Sequence, residues 1–225
     1  MYIAFCGMSF AGKQQYHDLA IEYMMEEKHI TIDNMLIVSD PKSTDFGKAI
    51  VSLDRQKQHF NDTVSGMLYI AGSCNVYDNL ISKAIEYKQH IFCKGCFTEV
   101  LGYQGAVLGH QGISWQMLKT IYENMLKTTH RIETIKYPDI IFFCINSFDK
   151  AKARILSFNS SSWEAGLSKE EYNIYSDKMQ EAYNIIAKDQ EFTQHTKILL
   201  IDGTEDTVCN VWNLKIKPEI DSMAS

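Results

Sequence analysis

The 225-residue sequence lacks the features that mark membrane-spanning and general nucleic-acid-binding proteins. No apolar run reaches the roughly 18 residues that a transmembrane helix needs. The formal net charge is −6, so the chain also lacks the positive excess that binding to a phosphate backbone requires. The first residues form a short apolar run followed by a glycine loop, which is not the pattern of a signal peptide. We therefore expect no membrane and no nucleic acid among the partners, and a cytoplasmic location.

The six cysteines lack the paired spacing of a disulfide framework or of a structural zinc site. Cys93 and Cys96 form a single Cys-x-x-Cys, without a second pair or a histidine partner nearby in sequence. Reduced buried thiols are the main interpretation, and a zinc or redox site is the alternative. The seven histidines are scattered and show no paired metal-binding spacing.

Short apolar runs alternate with longer segments whose apolar residues recur at helical spacing. Strands are predicted at residues 2–6, 34–38, 90–93, 139–145 and 197–201. Helices are predicted at residues 14–28, 47–53, 63–88 (one or two helices), 115–125, 150–156 and 169–189. This alternation predicts an α/β fold with a parallel sheet covered on both faces. We expect one domain over residues 1–213, with a peripheral tail over residues 214–225.

The stretch GMSFAGKQ, directly after the first predicted strand, has the spacing of a phosphate-binding loop. Gly7 and Gly12 allow backbone N–H groups to turn toward one anion, and the following helix adds its positive dipole. Lys13 supplies a full positive charge. Gln14 stands where such loops carry the Ser or Thr that holds magnesium, and its amide oxygen is a weaker ligand. The loop predicts nucleotide binding, and the replacement at Gln14 predicts that affinity is retained better than turnover.

Three further stretches occur in the order found in a known family. They are DPKSTDFGK at residues 40–48, GYQGAVLG at residues 102–109 and YPDIIFF at residues 137–143. Together with the loop they resemble thymidylate kinases over roughly residues 1–205. The resemblance implies a P-loop NTPase-type three-layer sandwich with a five-stranded parallel sheet, as in nucleoside-monophosphate kinases. It also implies ATP and Mg²⁺ as cofactors, a deoxynucleoside monophosphate as acceptor, commonly dTMP, and a homodimer.

The resemblance assigns roles to individual positions, and these assignments are expectations. Catalytic roles fall on Lys13, Lys94 and Arg154. ATP and phosphate contacts fall on Gly7, Ser9, Gly12, Lys13, Gln14, Gln15, Asp202 and Gly203. Acceptor contacts fall on Asp40, Lys42, Tyr69, Ser73, Glu99, Tyr103 and Gln104. Gln14 is a weak candidate for the metal, and a lid is expected near residues 157–168.

Several positions depart from the family pattern. Arg154 reaches the phosphate channel only if its helix is longer than predicted, and residues 159–166 of the lid contain no arginine. Glu99 replaces a small hydroxyl residue that faces the base; a carboxylate there favours a base edge with N–H donors, and hence a non-standard pyrimidine acceptor. The alternative is that Glu99 points to solvent. Further replacements are Cys6 for Glu, Ser9 for Asp, Ser73 for Arg, Lys94-Gly95 for Asp-Arg, and Phe10 for a loop arginine.

Two functions follow from this mixture of retained and replaced residues. The first is an active, divergent kinase of a deoxynucleoside monophosphate, either dTMP or a related or modified pyrimidine nucleotide. The second is a catalytically degenerate protein that binds nucleotide or a protein partner without turnover. Divergence of this depth fits a rapidly evolving genome such as that of a large bacteriophage, in which case the location is the host cytoplasm.

Overall fold

Five parallel strands form one sheet with helices packed around it. The computed structural model describes residues 1–55, 62–103, 114–130, 134–157, 163–204 and 207–224. The strand order across the sheet is β2-β3-β1-β4-β5. The strands are β1 (Tyr2–Gly7), β2 (Met35–Ser39), β3 (His90–Lys94), β4 (Ile140–Ile145) and β5 (Lys197–Asp202). The predicted α/β fold class with a five-stranded parallel sheet is therefore confirmed.

The two central strands explain the most apolar runs of the sequence. Every residue of β1 and β4 is buried, because each strand has a neighbour on both sides and helices above and below. In the register, Ala4 of β1 lies opposite Cys93 of β3 and Ile141 of β4. All five strands end at the same edge of the sheet, because all pairs are parallel. Every segment that follows a strand is thereby delivered to this edge.

The helices match the predicted pattern with shifted ends. Helix α1 packs on β1 and β3, and α8 packs on β4. The predicted region 63–88 is one continuous helical stretch, in which a π-turn at Tyr77–Ile81 joins α3 to α4. The helices are α1 (Lys13–Glu26), α2 (Asp45–Arg55), α3 (Asp62–Val76), α4 (Ser82–Glu86), α5 (Thr98–Val100), α6 (Trp115–His130), α7 (Phe148–Ser157), α8 (Lys169–Ala187), α9 (Gln190–Thr193), α10 (Val208–Val211) and α11 (Lys217–Ala224).

Local signals explain where α8 begins. Ser168 accepts a hydrogen bond from the backbone N–H of Glu171, and the Glu171 side chain accepts one from the backbone N–H of Ser168. This reciprocal capping box satisfies two donors that the first turn leaves unpaired. Over the described part of the chain, no helix combines the length and apolarity needed to cross a bilayer.

The segment after Trp212 is not peripheral, which corrects the expectation from sequence. A π-turn at Trp212–Ile216 leads into α11, and the side chains of Ile216 and Ile220 are fully buried. The Trp212 ring packs edge-on against Tyr23 of α1, with ring centroids 5.8 Å apart. The segment covers α1, so its apolar residues belong to the core.

We expect Ile216→Ala to lower the free energy of unfolding by about 2–5 kcal/mol, because it removes a fully buried side chain and leaves a cavity. Leu214→Ala, in the same π-turn, is the control, because this leucine is 72% exposed; its effect should stay within about 0.5 kcal/mol. Urea unfolding followed by circular dichroism measures both variants. Equal effects of the two variants would show that the segment is not part of the core.

Candidate phosphate-binding site

The loop between β1 and α1 has the backbone that an anion site needs. Gly7 has φ 108°, and a Cβ atom there would lie 2.2 Å from the carbonyl oxygen of Cys144, so no other residue fits. Gly12 has φ 94° and forms the N-cap of α1. Because this cap has no side chain, the first N–H groups of α1 remain available to a ligand. The predicted roles of both glycines in shaping the loop agree with this geometry.

Lys13, the first residue of α1, turns back across the loop. Its Nζ donates to the carbonyl oxygen of Gly7 at 2.7 Å and to Oε1 of Glu99 at 2.6 Å. The two side chains of this ion pair are 15% and 18% exposed. Burial opposes the charged form of Lys13, but the Glu99 carboxylate outweighs burial and raises the pKa of Lys13. The lysine therefore stays fully charged at neutral pH.

Glu99 contacts the phosphate loop and does not point to solvent. It lies on α5, after β3, and its carboxylate is paired with Lys13. The physical reason is the Lys13 ammonium, which attracts a carboxylate strongly where little water reaches the pair. The alternative of a solvent-facing Glu99 is therefore wrong, and a contact between Glu99 and the base stays a prediction.

Gln14 and Lys94 pair with each other beside the loop. Lys94 Nζ donates to Oε1 of Gln14, and Nε2 of Gln14 donates to Oδ1 of Asp18 at 2.6 Å. The amide oxygen of Gln14 is the atom that would bind a metal, and it is engaged by a cation. A metal role for Gln14 would require Lys94 to release this oxygen, and it stays a prediction, as does the catalytic role of Lys94, which lies beside the first turn of α1.

Arg154 reaches the loop from α7. This helix begins at Phe148, two residues before the predicted start, and ends at Ser157. The Arg154 guanidinium donates to the carbonyl oxygen of Phe10 at 2.6 Å, and its Nη1 lies 3.2 Å from the position that a Cβ atom on Gly12 would take. The helix is longer than predicted, as the role of Arg154 requires, and Arg154 lies beside the loop together with Lys13 and Lys94.

Asn146 is a site residue that sequence reasoning missed. It follows β4 directly, is 3% exposed, and its Nδ2 donates to the Phe10 carbonyl at 3.3 Å. Its Oδ1 is buried and has no partner among the described residues. Phe10 itself has φ 59°, a rare value for a residue other than glycine. Asn146 and Arg154 thus both donate to the carbonyl oxygen of Phe10, a residue with a strained backbone. The signal was a polar residue at the carboxyl end of a fully apolar strand.

Among the residues predicted to contact an acceptor, the structure brings Asp40 and Ser73 together. Ser73 on α3 donates to Oδ1 of Asp40 at 2.8 Å, just after β2. Burial chiefly raises the pKa of Asp40 to about 7; the Ser73 hydrogen bond opposes this shift and the Glu99 charge adds to it. Tyr69 is half-buried against the core on the same helix, and Lys42 is exposed.

The remaining predicted residues divide into four groups. Ser9 and Tyr103 are hydrogen-bonded through their hydroxyls at 2.9 Å, at the mouth of the loop. Asp202 caps its own turn by accepting from the N–H of Thr204, and Gly203 donates to the carbonyl of Ile145. Gln15 is exposed on α1. Gln104 lies outside the described residues, as do residues 158–162 of the predicted lid.

The cysteines pair differently from the Cys-x-x-Cys of the sequence. Cys96 Sγ lies 3.1 Å from Cys6 Sγ as two free thiols, and Cys93 is buried in β3. Burial raises the pKa of Cys6, Cys93 and Cys144, whereas Cys209 is exposed. Within the described ranges, no three His, Cys, Asp or Glu side chains are grouped to hold a metal ion.

The fold is similar to that of a solved nucleotide kinase. A crystal structure of thymidylate kinase from Ehrlichia chaffeensis matches with a TM-score of 0.68 and 19% sequence identity, over 98% of this chain and 98% of that chain. No protein-family model matches the chain, and no curated protein sequence matches it. The likeness therefore establishes a thymidylate-kinase-like fold, and sequence comparison adds no substrate.

The pKa of Asp40 predicts a pH dependence of stability. Asp40 holds its proton up to about pH 7 in the folded chain, but only to about its ordinary value of 3.8 when unfolded. Its contribution to stability therefore falls as the pH rises from about 4 through 7. Asp40→Asn removes this loss, so the variant should gain stability relative to wild type between pH 5 and pH 8.

Urea unfolding at both pH values checks this expectation. Asp45→Asn is the control, because pairing with Lys48 lowers the pKa of Asp45. Asp45 is therefore ionised in both the folded and the unfolded chain throughout this pH interval. Parallel pH profiles for wild type and Asp40→Asn would contradict a raised pKa.

Proposed function

We propose that the protein is an ATP-dependent kinase of a deoxynucleoside monophosphate, with dTMP or a related pyrimidine nucleotide as acceptor. The observation that carries this proposal is the convergence of Lys13 and Arg154 on one glycine loop. A triphosphate needs such a loop for its oxygens, and phosphoryl transfer needs positive charge around the transferred group. The thymidylate-kinase-like fold supports the proposal at the level of the scaffold.

The donor nucleotide would bind with its outer phosphates on the loop. The backbone N–H groups at the start of α1 would donate to phosphate oxygens, and Lys13 would add a full charge. Gly203, directly after β5, and Gly12, at the start of α1, both lie close to the Tyr16 side chain. This proximity supports a role for the Asp202–Gly203 turn at the nucleoside end of ATP.

Magnesium would supply the charge neutralisation that transfer requires, and the protein offers it few ligands. The Gln14 oxygen accepts from Lys94, and the described residues hold no cluster of carboxylates. Magnesium commonly keeps several waters and binds through substrate phosphates. The residues present fit a metal that arrives with ATP, not one that the protein stores.

The acceptor would lie across the edge of the sheet from the loop. Ser73 contacts Asp40 at the carboxyl end of β2, and Tyr103 contacts Ser9 of the loop. Tyr69 lies one turn before Ser73 on α3. The resemblance assigns Tyr69 to stacking on the base and Lys42 to the acceptor phosphate. Lys42 is exposed on the segment after β2, so it must approach the acceptor from solvent.

Lys13→Met should reduce kcat/KM for ATP by at least about 10²-fold, because it removes the charge that contacts the outer phosphates. A coupled ADP-release assay with ATP, Mg²⁺ and a panel of monophosphates measures the loss. Lys48→Met is the control, since Lys48 forms an exposed pair with Asp45 on α2 and should retain full activity. Nucleotide binding without turnover on any acceptor would support the non-catalytic function instead.

Arg154→Ala should reduce kcat by about 10³-fold with a smaller change in KM, because an arginine at the transferred phosphate acts mainly in the transition state. Arg154→Lys should restore only part of the rate, since lysine lacks the planar fork. The matched control is Lys152→Ala on the same helix, whose ammonium donates to the carbonyl of Ala165. If Arg154→Ala is no slower than the control, Arg154 only holds the Phe10 carbonyl.

A further inference from the structure

We infer that Glu99 is an internal anion of the phosphate loop, which neutralises Lys13 in the nucleotide-free protein and which a phosphate group must displace. Glu99 would thereby select ligands by charge, admitting a polyphosphate and rejecting single small anions. The inference rests on the proposed function, because it assumes that the loop binds the phosphates of a nucleotide.

Both residues of the Lys13–Glu99 ion pair are positioned by their surroundings. Lys13 has three N–H donors, of which one goes to Glu99 and one to the Gly7 carbonyl. The second carboxylate oxygen of Glu99 lies 3.2 Å from the position that a Cβ atom on Gly95 would take. Gly95 has φ 83°, so the turn that brings the carboxylate to the lysine depends on this glycine. One oxygen is therefore held by charge, and the other occupies space that is open only because residue 95 has no side chain.

Displacing Glu99 from Lys13 costs free energy, and a weakly bound anion does not offset this cost. A half-buried carboxylate that loses its cation is left with uncompensated charge. Inorganic phosphate would exchange one anion for another at Lys13. A triphosphate gains more, because it also reaches the loop amides and the first turn of α1. The balance therefore favours ligands with several phosphate groups.

The groups around Glu99 increase this cost. The Asp40 backbone carbonyl also lies near Gly95, 3.1 Å from the same Cβ position, and the charge of Glu99 contributes to the raised pKa of Asp40. Tyr103, Cys6 and Cys144 are further titratable groups that interact with Lys13. A displaced Glu99 therefore stays near another carboxyl group, and among the described residues it has no ion pair with a cation other than Lys13.

The opposite role is that Glu99 holds Lys13 in its working position. The two roles predict opposite effects of the same substitution. If Glu99 competes with the ligand, then Glu99→Gln strengthens anion binding. If Glu99 only positions Lys13, then Glu99→Gln weakens it.

Isothermal titration calorimetry with ATP, inorganic tripolyphosphate and inorganic phosphate separates these roles. We expect Glu99→Gln to bind tripolyphosphate about tenfold more tightly than wild type, which corresponds to one charge-assisted contact released. We also expect phosphate binding to become measurable in this variant. Glu219→Gln is the matched control, because Glu219 pairs with Lys197 at the same 2.6 Å but at the opposite end of β5. Weaker or unchanged binding by Glu99→Gln would overturn the inference.

A second measurement does not depend on nucleotide. Acylation of Lys13 by an amine-reactive ester, followed by mass spectrometry, should be faster in Glu99→Gln than in wild type, because the lysine loses the carboxylate that keeps it protonated. Glu219→Gln should leave the rate at Lys13 unchanged. Glu99→Ser provides a second variant, and thermal melting verifies that each variant is folded. An unchanged acylation rate in both Glu99 variants would also overturn the inference.

The outcomes keep this inference distinct from the proposed function. Tighter tripolyphosphate binding without kinase activity on any acceptor would support Glu99 as an internal anion and reject the kinase. Kinase activity in wild type together with weaker binding by Glu99→Gln would support the kinase and reject the internal anion.

Discussion

The parallel sheet is the constraint on which the candidate site depends. Since all five strands run the same way, their carboxyl ends meet at one edge, and five segments distant in sequence become neighbours. The chain crosses from one half of the sheet to the other between β1 and β4, which is where the loop and Asn146 lie. The close approach of Gly7 to Cys144 fixes this crossing. The residues of the candidate site therefore lie in the segments that follow the strands.

Charge at the loop is arranged through local partners. Lys13 is paired with Glu99, Lys94 with Gln14, and Arg154 with the Phe10 carbonyl. Each cation thus lies near the loop, and within the described ranges only Lys13 among the three is paired with a carboxylate. The lysines provide charge without directional recognition, whereas Arg154 retains the planar geometry suited to phosphate oxygens. A kinase built in this way would rely on one arginine for orientation.

The sequence allowed prediction of the features that depend on neighbours in the chain. The five strands follow from apolar runs, and the loop follows from Gly7, Gly12 and Lys13, which lie within seven residues. The partner of Lys13 is 86 residues away, and no periodicity links the two positions. The same limit explains the error over the chain's last segment, since Ile216 and Ile220 are buried by packing on parts of the chain that are distant in sequence, among them α1 against the π-turn at Trp212–Ile216. Contacts between residues that are distant in sequence cannot be predicted from composition or from local spacing.

The distribution of thiols makes the chain convenient to observe. Five of the six cysteines are buried, and Cys209 alone is exposed. It lies one turn before the segment that packs on Tyr23 near the end of α1, whereas the phosphate loop lies at the start of that helix. Fourteen helical residues span about 21 Å. A fluorophore attached to the native protein would therefore label one place, at a defined distance from the phosphate loop, with no engineered cysteine.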